Sequence, residues 1–309
     1  MSRILRMAVY AGVKCLETSG VAEPDGIITA TGKGNLTDTE KFLKDALRYN
    51  EASLNPTPFI LSTYNAVSGA IALQSKATGY NQTFVHRGSS LEIALLDAQM
   101  KLSETETVQH ILAGGFDEIT QDYIQIKDKL HYWKEAYVPQ KSLWEQSYSP
   151  GSLAGEGAAF FMLTNQPGRH LLAMHRVLSF TSTSPQETGR IIREEIAAAG
   201  WHPDDIDGLV LGLNGNCRDY YYYDEALTRF PGVPVMVFKH LCGEYETATG
   251  FGLWLLTEYL AGNITHPDIW YPARFPEKPP EKILYYNHFR GSEHNLLLLA
   301  AGPSRQPVR

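Results

Sequence analysis

The sequence predicts a layered α/β fold made of two related halves, and three observations carry that reading. Short apolar strands alternate with helical stretches along the whole chain. Residues 79 to 115, GYNQTFVHRGSSLEIALLDAQMKLSETETVQHILAGG, read as a strand, a sharp elbow, a helix and a second strand. The run NQPGR at 165 to 169 is the strongest boundary signal, and the same alternation resumes beyond it. The halves are therefore placed at residues 1–165 and 166–309.

The elements follow in order. Residues 2 to 19 read as an amphipathic helix, with Ile4, Leu5, Val9, Val13 and Leu16 on one stripe. Its apolar content and arginines resemble a signal peptide, but Arg6 and Lys14 interrupt the apolar run. GIITA at 26 to 30 is a short buried strand. Thr37 and Glu40 suggest a capping box opening a helix through about residue 49, and Asn55, Pro56 and Pro58 end that segment. Residues 62 to 79 are a loop entering a helix rich in small residues. QTFVH is a strand, 89 to 103 a helix and VQHILAGG a strand. Residues 120 to 150 are aromatic-rich and without clear period, and GEGAAFFMLTN is a glycine turn into an apolar strand. In the second half, HLLAMHRVLSF is a strand and SPQETGRIIREEIAAAG a helix closed by Gly200. IDGLVLGLNG is a strand leading into a loop, VPVMVF a strand and Glu246 to Leu260 a helix. KILYYNHF and NLLLLAAG close the chain as a hairpin.

Composition narrows the function classes. The 309 residues are 43% hydrophobic and 20% charged, an ordinary soluble balance. The net charge is −7 and no Lys/Arg cluster exceeds a pair, which argues against nucleic acid. Apolar runs such as NLLLLAAG are too short to span a bilayer. Cys15, Cys217 and Cys242 form no CxxC pair and are odd in number, which fits a reducing cytoplasm. No His/Cys/Asp spacing suggests a metal, and no Gly-rich loop followed by Lys-Ser/Thr suggests a nucleotide, so no cofactor is expected.

Five segments, in order, resemble the landmarks of a β-ketoacyl synthase. They are GYNQTFVHRGSSLEIALLDA followed by AGG, PGSLAGEGAAFFML, DGLVLGLNGNCRDYYYYDE, PVMVFKHLCGEYETATGFGLWLL and NHFRGSEHNLLLL. The resemblance implies a thiolase-like layered αβαβα fold with two related halves. It also implies an N-terminal truncation relative to full-length ketosynthases, whose opening strand and loops have no match here. The wording STYNAVSG…TFVHRG is most similar to the chain-length-factor-like subunits of aryl polyene-type type II polyketide synthases.

A ketosynthase uses an elbow cysteine, two histidines and a structural lysine. By the resemblance, Gly88 stands for the cysteine, Asn214 for the first histidine and Glu244 for the second, while Lys239 is retained. Glycine has no side chain to attack a thioester, and losing a catalytic nucleophile costs on the order of 10⁶ in rate. A silent subunit is therefore expected, with no activity alone. Its implied partners are an active ketosynthase, as a heterodimer, and an acyl carrier protein with a phosphopantetheine-linked acyl chain. Phe59, Asn65 and Phe84 are candidates for a tunnel floor, and His86 and Arg87 flank the elbow at the interface.

Each residue also has a plainer reading. Lys239 would be a structural cation paired with a buried acid, and Glu244 its partner or a helix-end group. His86 and Arg87 would serve a packed strand end as readily as they would bind a phosphate or a partner carboxylate. Cys217 is the substitute nucleophile of the rival reading, an active divergent ketosynthase or acyltransferase, against a small buried residue. His288 and His294 lack an acidic partner at readable spacing, and Tyr220 to Tyr223 read as packing or interface.

Overall fold

The structure is a computed structural model that describes residues 1–135, 143, 149–168 and 170–302. It divides into two compact units. The first comprises Met1–Gln125, Gly155–Asn165 and Tyr245–Gly250; the second comprises Ile126–Ala154, Gln166–Glu244 and Phe251–Arg309.

The first unit opens with α1 (Arg3–Ser19), whose stripe buries Ile4, Leu5, Ala8, Val9 and Leu16. These residues pack with Ile27, Val67, Ile71, Leu112 and Phe116. Each large apolar side chain so buried contributes roughly 1.5–3 kcal/mol. Next come β1 (Gly26–Ala30), α2 (Leu36–Arg48), α3 (Pro56–Leu61), α4 (Ala66–Ser75), β2 (Tyr80–Phe84), α5 (Ser90–Ser103) and β3 (His110–Asp117). After α6 (Gln121–Lys129) the chain returns with β4 (Gly157–Thr164). The sheet order is β2-β1-β3-β4. β1 pairs parallel with both β2 and β3, and β4 runs antiparallel to β3. β1 has a strand on each edge and the helices α4 and α5 packed against it, which is why GIITA shows no polar alternation and is buried throughout.

The capping box at Thr37 and Glu40 is corrected. The cap of α2 is Asn35, whose side chain accepts from the Asp38 N–H. Thr37 donates its N–H and hydroxyl to Glu118, and Glu40 accepts from the Thr120 hydroxyl. Asn55 and Pro56 open α3 rather than ending a segment, because proline at the first helical turn needs no N–H partner. Part of the 120–150 excursion is helical, as α6; residues 136–142 and 144–148 of it lie outside the described ones.

The second unit runs β5 (Leu172–Thr181), α7 (Pro185–Ala198), β6 (Gly208–Leu211), α8 (Tyr220–Arg229), β7 (Val235–Val237), α9 (Lys239–Cys242), α10 (Thr249–Leu260), β8 (Lys282–Phe289) and β9 (Glu293–Ala301). The helix expected from Glu246 begins only at Thr249, because the residues before it bond to the first sheet's end, as described below. The tyrosine run is the first turn of α8, and its 100° step splits it. Tyr222 and Tyr223 are buried while Tyr221 is exposed.

The sheet order is β5-β9-β8-β6-β7. β6 pairs parallel with β7 and β8, while β8 and β5 each pair antiparallel with β9. Reading β4-β3-β1-β2 against β9-β8-β6-β7 gives the same order and the same strand directions. α1 precedes β1 as α7 precedes β6, and α5 links β2 to β3 as α10 links β7 to β8. The two units are thus one plan used twice, except that the first sheet has no counterpart of β5 among the described residues.

Candidate functional site

The elbow of the first unit forms where β2 ends. A 3₁₀ turn over Arg87–Ser89 leads into α5. Arg87 sits at φ 45°, a left-handed conformation that a side chain rarely adopts. The Ser90 hydroxyl holds the turn: it accepts from the His86 N–H at 2.7 Å and lies 2.8 and 3.0 Å from the carbonyl oxygens of Arg87 and Thr31. Gly88 is buried at the centre of the turn, and His86 and Arg87 are exposed beside it.

Behind this elbow lies a charged cluster that sequence reasoning missed. Asp117, at the end of β3, is fully buried. Its Oδ1 accepts from the Thr31 hydroxyl, the Gly32 N–H and the Lys33 N–H at 2.9, 3.0 and 3.1 Å. Its Oδ2 accepts from the Thr247 N–H and hydroxyl at 3.0 and 2.9 Å. The Lys33 ammonium lies 2.7 Å from the Glu246 carboxylate and 4.3 Å from the centre of the Tyr123 ring. Burial pulls the Lys33 ammonium down, but Asp117 and Glu246 outweigh it and hold it above its ordinary range. Burial pushes the Asp117 carboxyl up to about 6, against the pull of Lys33. Gly32 is required here, since a Cβ would run into the Glu246 side chain and press on the Arg87 carbonyl. The signal in the sequence was the acidic residue directly after the AGGF strand end.

The tunnel-floor candidates separate. Asn65 lines a groove of about 720 Å³ with Lys33, Thr39, Asn81, Gln82 and Thr83. The groove runs along β2, an edge of the first sheet, and its lining is mostly hydroxyl and amide. Phe59 is 56% exposed, packs on Phe42 with ring centres 5.2 Å apart, and does not line the groove. Phe84 is half-buried at the end of β2 and is not in the lining either.

Within the second unit the structure brings Asn214, Lys239 and Glu244 together. Lys239, 1% exposed, donates to both Glu244 oxygens at 2.8 and 2.9 Å. Asn214 donates from Nδ2 to Glu244 Oε2 at 2.7 Å, and its Oδ1 accepts from the Asn216 N–H. Gly243, at φ 76°, allows the turn that presents Glu244, whose N–H donates to the Leu153 carbonyl. A glutamate held this way offers no N–H to a developing oxyanion, where a histidine would. Cys217 is half-buried in the following loop, its N–H donating to the Ser149 carbonyl at 3.1 Å. His288 and His294 are core groups. The His294 ring lies 2.9 Å from the Tyr286 hydroxyl and 3.0 Å from the Ser182 carbonyl, so Nε2 donates and Nδ1 accepts. His288 stacks on Tyr223, and burial holds it well below its ordinary pKa.

Comparison with known proteins places this arrangement. Residues 1–139 match the family model described as β-ketoacyl synthase, N-terminal domain. No curated protein matches the sequence. Among solved structures, a β-ketoacyl synthase from Burkholderia phymatum STM815 is similar over 97% of this chain and 83% of its own, with a TM-score of 0.76 and 14% identity. The chain has the thiolase-like fold of a ketosynthase. The ishigamide ketosynthase/chain length factor shares that fold at a TM-score of 0.77 and 17% identity, over 97% of this chain and 82% of that one. So does a structure described as AntDE:AntF, a type II acyl-carrier protein in complex with its ketosynthase bound to the hexaketide. Its TM-score is 0.81 at 13% identity, over 97% of this chain and 85% of that one. No helix among the described residues is long and apolar enough to cross a membrane.

Proposed function

We propose that the chain is a catalytically silent ketosynthase-like subunit, a chain length factor. In this reading it pairs with an active β-ketoacyl-ACP synthase in the cytoplasm and shapes the acyl or polyene tunnel of an aryl polyene-type pigment pathway. The observation that carries the reading is the elbow itself. Strand, strained Arg87, 3₁₀ turn and helix are all kept, while the residue at the nucleophile position is Gly88. The Lys239–Glu244–Asn214 set supports it, because the groups at the other catalytic positions satisfy one another. The edge of β2 beside the groove is the surface that the active partner would cover, with Asn65 at the point where bulk limits chain length.

Co-expression with a ketosynthase carrying the Cys-His-His set, followed by sizing and mass spectrometry of products, tests the reading. A 1:1 complex is expected, burying more than roughly 2,000 Å² as obligate pairs do. Within it, Asn65→Phe should shorten the product by a few carbons. A monomer that ignores the co-expressed synthase would sink the pairing. An acyl adduct on the isolated chain, abolished by Cys217→Ala, would favour the active-enzyme rival instead.

A further inference from the structure

Three hydroxyl groups that line the groove along β2 have their protons committed elsewhere. Thr39 donates to the Asn35 carbonyl at 2.7 Å, Ser62 to the Phe59 carbonyl at 2.7 Å and Thr63 to the Ile60 carbonyl at 2.9 Å. Each turns back on a carbonyl three or four residues earlier, a habit of Ser and Thr in and beside helices. A hydroxyl has one proton and two lone pairs, so these three oxygens can only accept from whatever enters the groove. Asn81 is set in the same sense: its Nδ2 donates to the Ser68 carbonyl at 3.3 Å, which leaves the amide oxygen on the side away from that bond. Among the described residues, the one charged group in the lining is Lys33, and it donates. Its ammonium has three N–H groups, with the Glu246 carboxylate 2.7 Å away to take one of them.

That pattern selects among end groups. A carboxylate would set its oxygens against the three fixed acceptors and stand close to Glu246 and Asp117, which already outnumber Lys33. An ammonium would suit the acceptors but meet the charge of Lys33. A methyl end would displace water from both kinds of group and give nothing back. A hydroxyl answers both, donating to a Thr39, Ser62 or Thr63 oxygen while accepting from Lys33.

We infer that the groove receives the far end of the growing chain and that this end carries a hydroxyl group. The inference rests on the chain-length reading above and adds the class of substrate to it: a chain started from a hydroxylated acyl unit rather than a plain alkyl one.

The reconstituted pair tests this with three primers of matched length on acyl carrier protein: ω-hydroxyhexanoyl, heptanoyl and adipoyl. Mass spectrometry reads the ratio of full-length to once-extended product for each, which separates the fit of the far end from the ease of priming. The hydroxyl-ended chain should exceed both others by at least about fivefold, the scale of one or two hydrogen bonds made or missed. Thr39→Val combined with Ser62→Ala should bring the hydroxyl and methyl ends to within about twofold of each other. Thr63→Ala alone should lower the preference in part, and it carries the test if the double variant does not fold. Equal extension of hydroxyl- and methyl-ended chains by an intact complex would overturn this inference and leave the chain-length reading standing. So would a preference that none of the substitutions touches. A complex that does not form would overturn both.

Discussion

Lys239 and Glu244 form a buried pair that Asn214 completes. Lys239→Met leaves Glu244 with Asn214 alone and should destabilise the fold by about 3 kcal/mol in urea titration. Adding Glu244→Leu should recover most of that loss, because an apolar pair of similar volume replaces a buried ionic one. At the elbow, incubation with acyl carrier protein thioesters should leave the intact mass unchanged. Gly88→Cys should not restore full condensing activity, since Asn214 and Glu244 still lack the histidine donors. Asp117 sets a pH response. Its carboxyl titrates near 6 in the fold against an ordinary 3.8, so the folded chain takes up a proton before the unfolded chain does. Stability from this group is therefore fully present below about pH 4 and is lost as pH rises through 6, a difference on the order of 3 kcal/mol. Urea midpoints from about pH 4 to 8 should show that slope, and Asp117→Asn should flatten it.

The helices and strands divide into those that local chemistry specifies and those set by distant partners. α2 gives the cleanest test. Asn35→Ala removes the cap and its bonds to Ser2 and the Leu61 carbonyl, and should cost about 1–2 kcal/mol and fray the first turn. Thr37→Ala should leave the helix intact by far-UV circular dichroism and weaken only its tie to Glu118. The sequence misleads here because Thr-x-x-Glu spacing is a cap only if both side chains turn back on their own helix, and Glu118 and Thr120 take them instead. α1 and β1 were legible since one apolar period decides each. The late start of α10 and the Lys33–Asp117–Glu246 cluster were not, because they depend on residues far apart in sequence meeting at β3.

At the scale of the whole molecule, the elbow of the first unit keeps its shape without help from any side chain at position 88. The elbow is held by backbone carbonyls, Ser90 and the Asp117 cluster, and none of these needs a nucleophile at Gly88. Pairing with an active synthase belongs to this scale too: the complex should form equally well with Gly88 replaced by alanine, as sizing of the co-expressed pair would show.

The bond between Asp117 and Thr247 joins residues 130 positions apart. A ribosome adding about 5–20 residues per second needs roughly 6–26 s to cover that distance. For the part of that interval after β4 is made, all four strands of the first sheet exist, but the carboxylate at its end lacks the two donors of Thr247. Nascent chains arrested just before Tyr245 should therefore be more protease-sensitive at β3 than chains arrested far enough beyond Gly250 to clear the exit tunnel. The first half of the molecule is completed long after its sheet has been made, by the short stretch Tyr245–Gly250 arriving from far downstream.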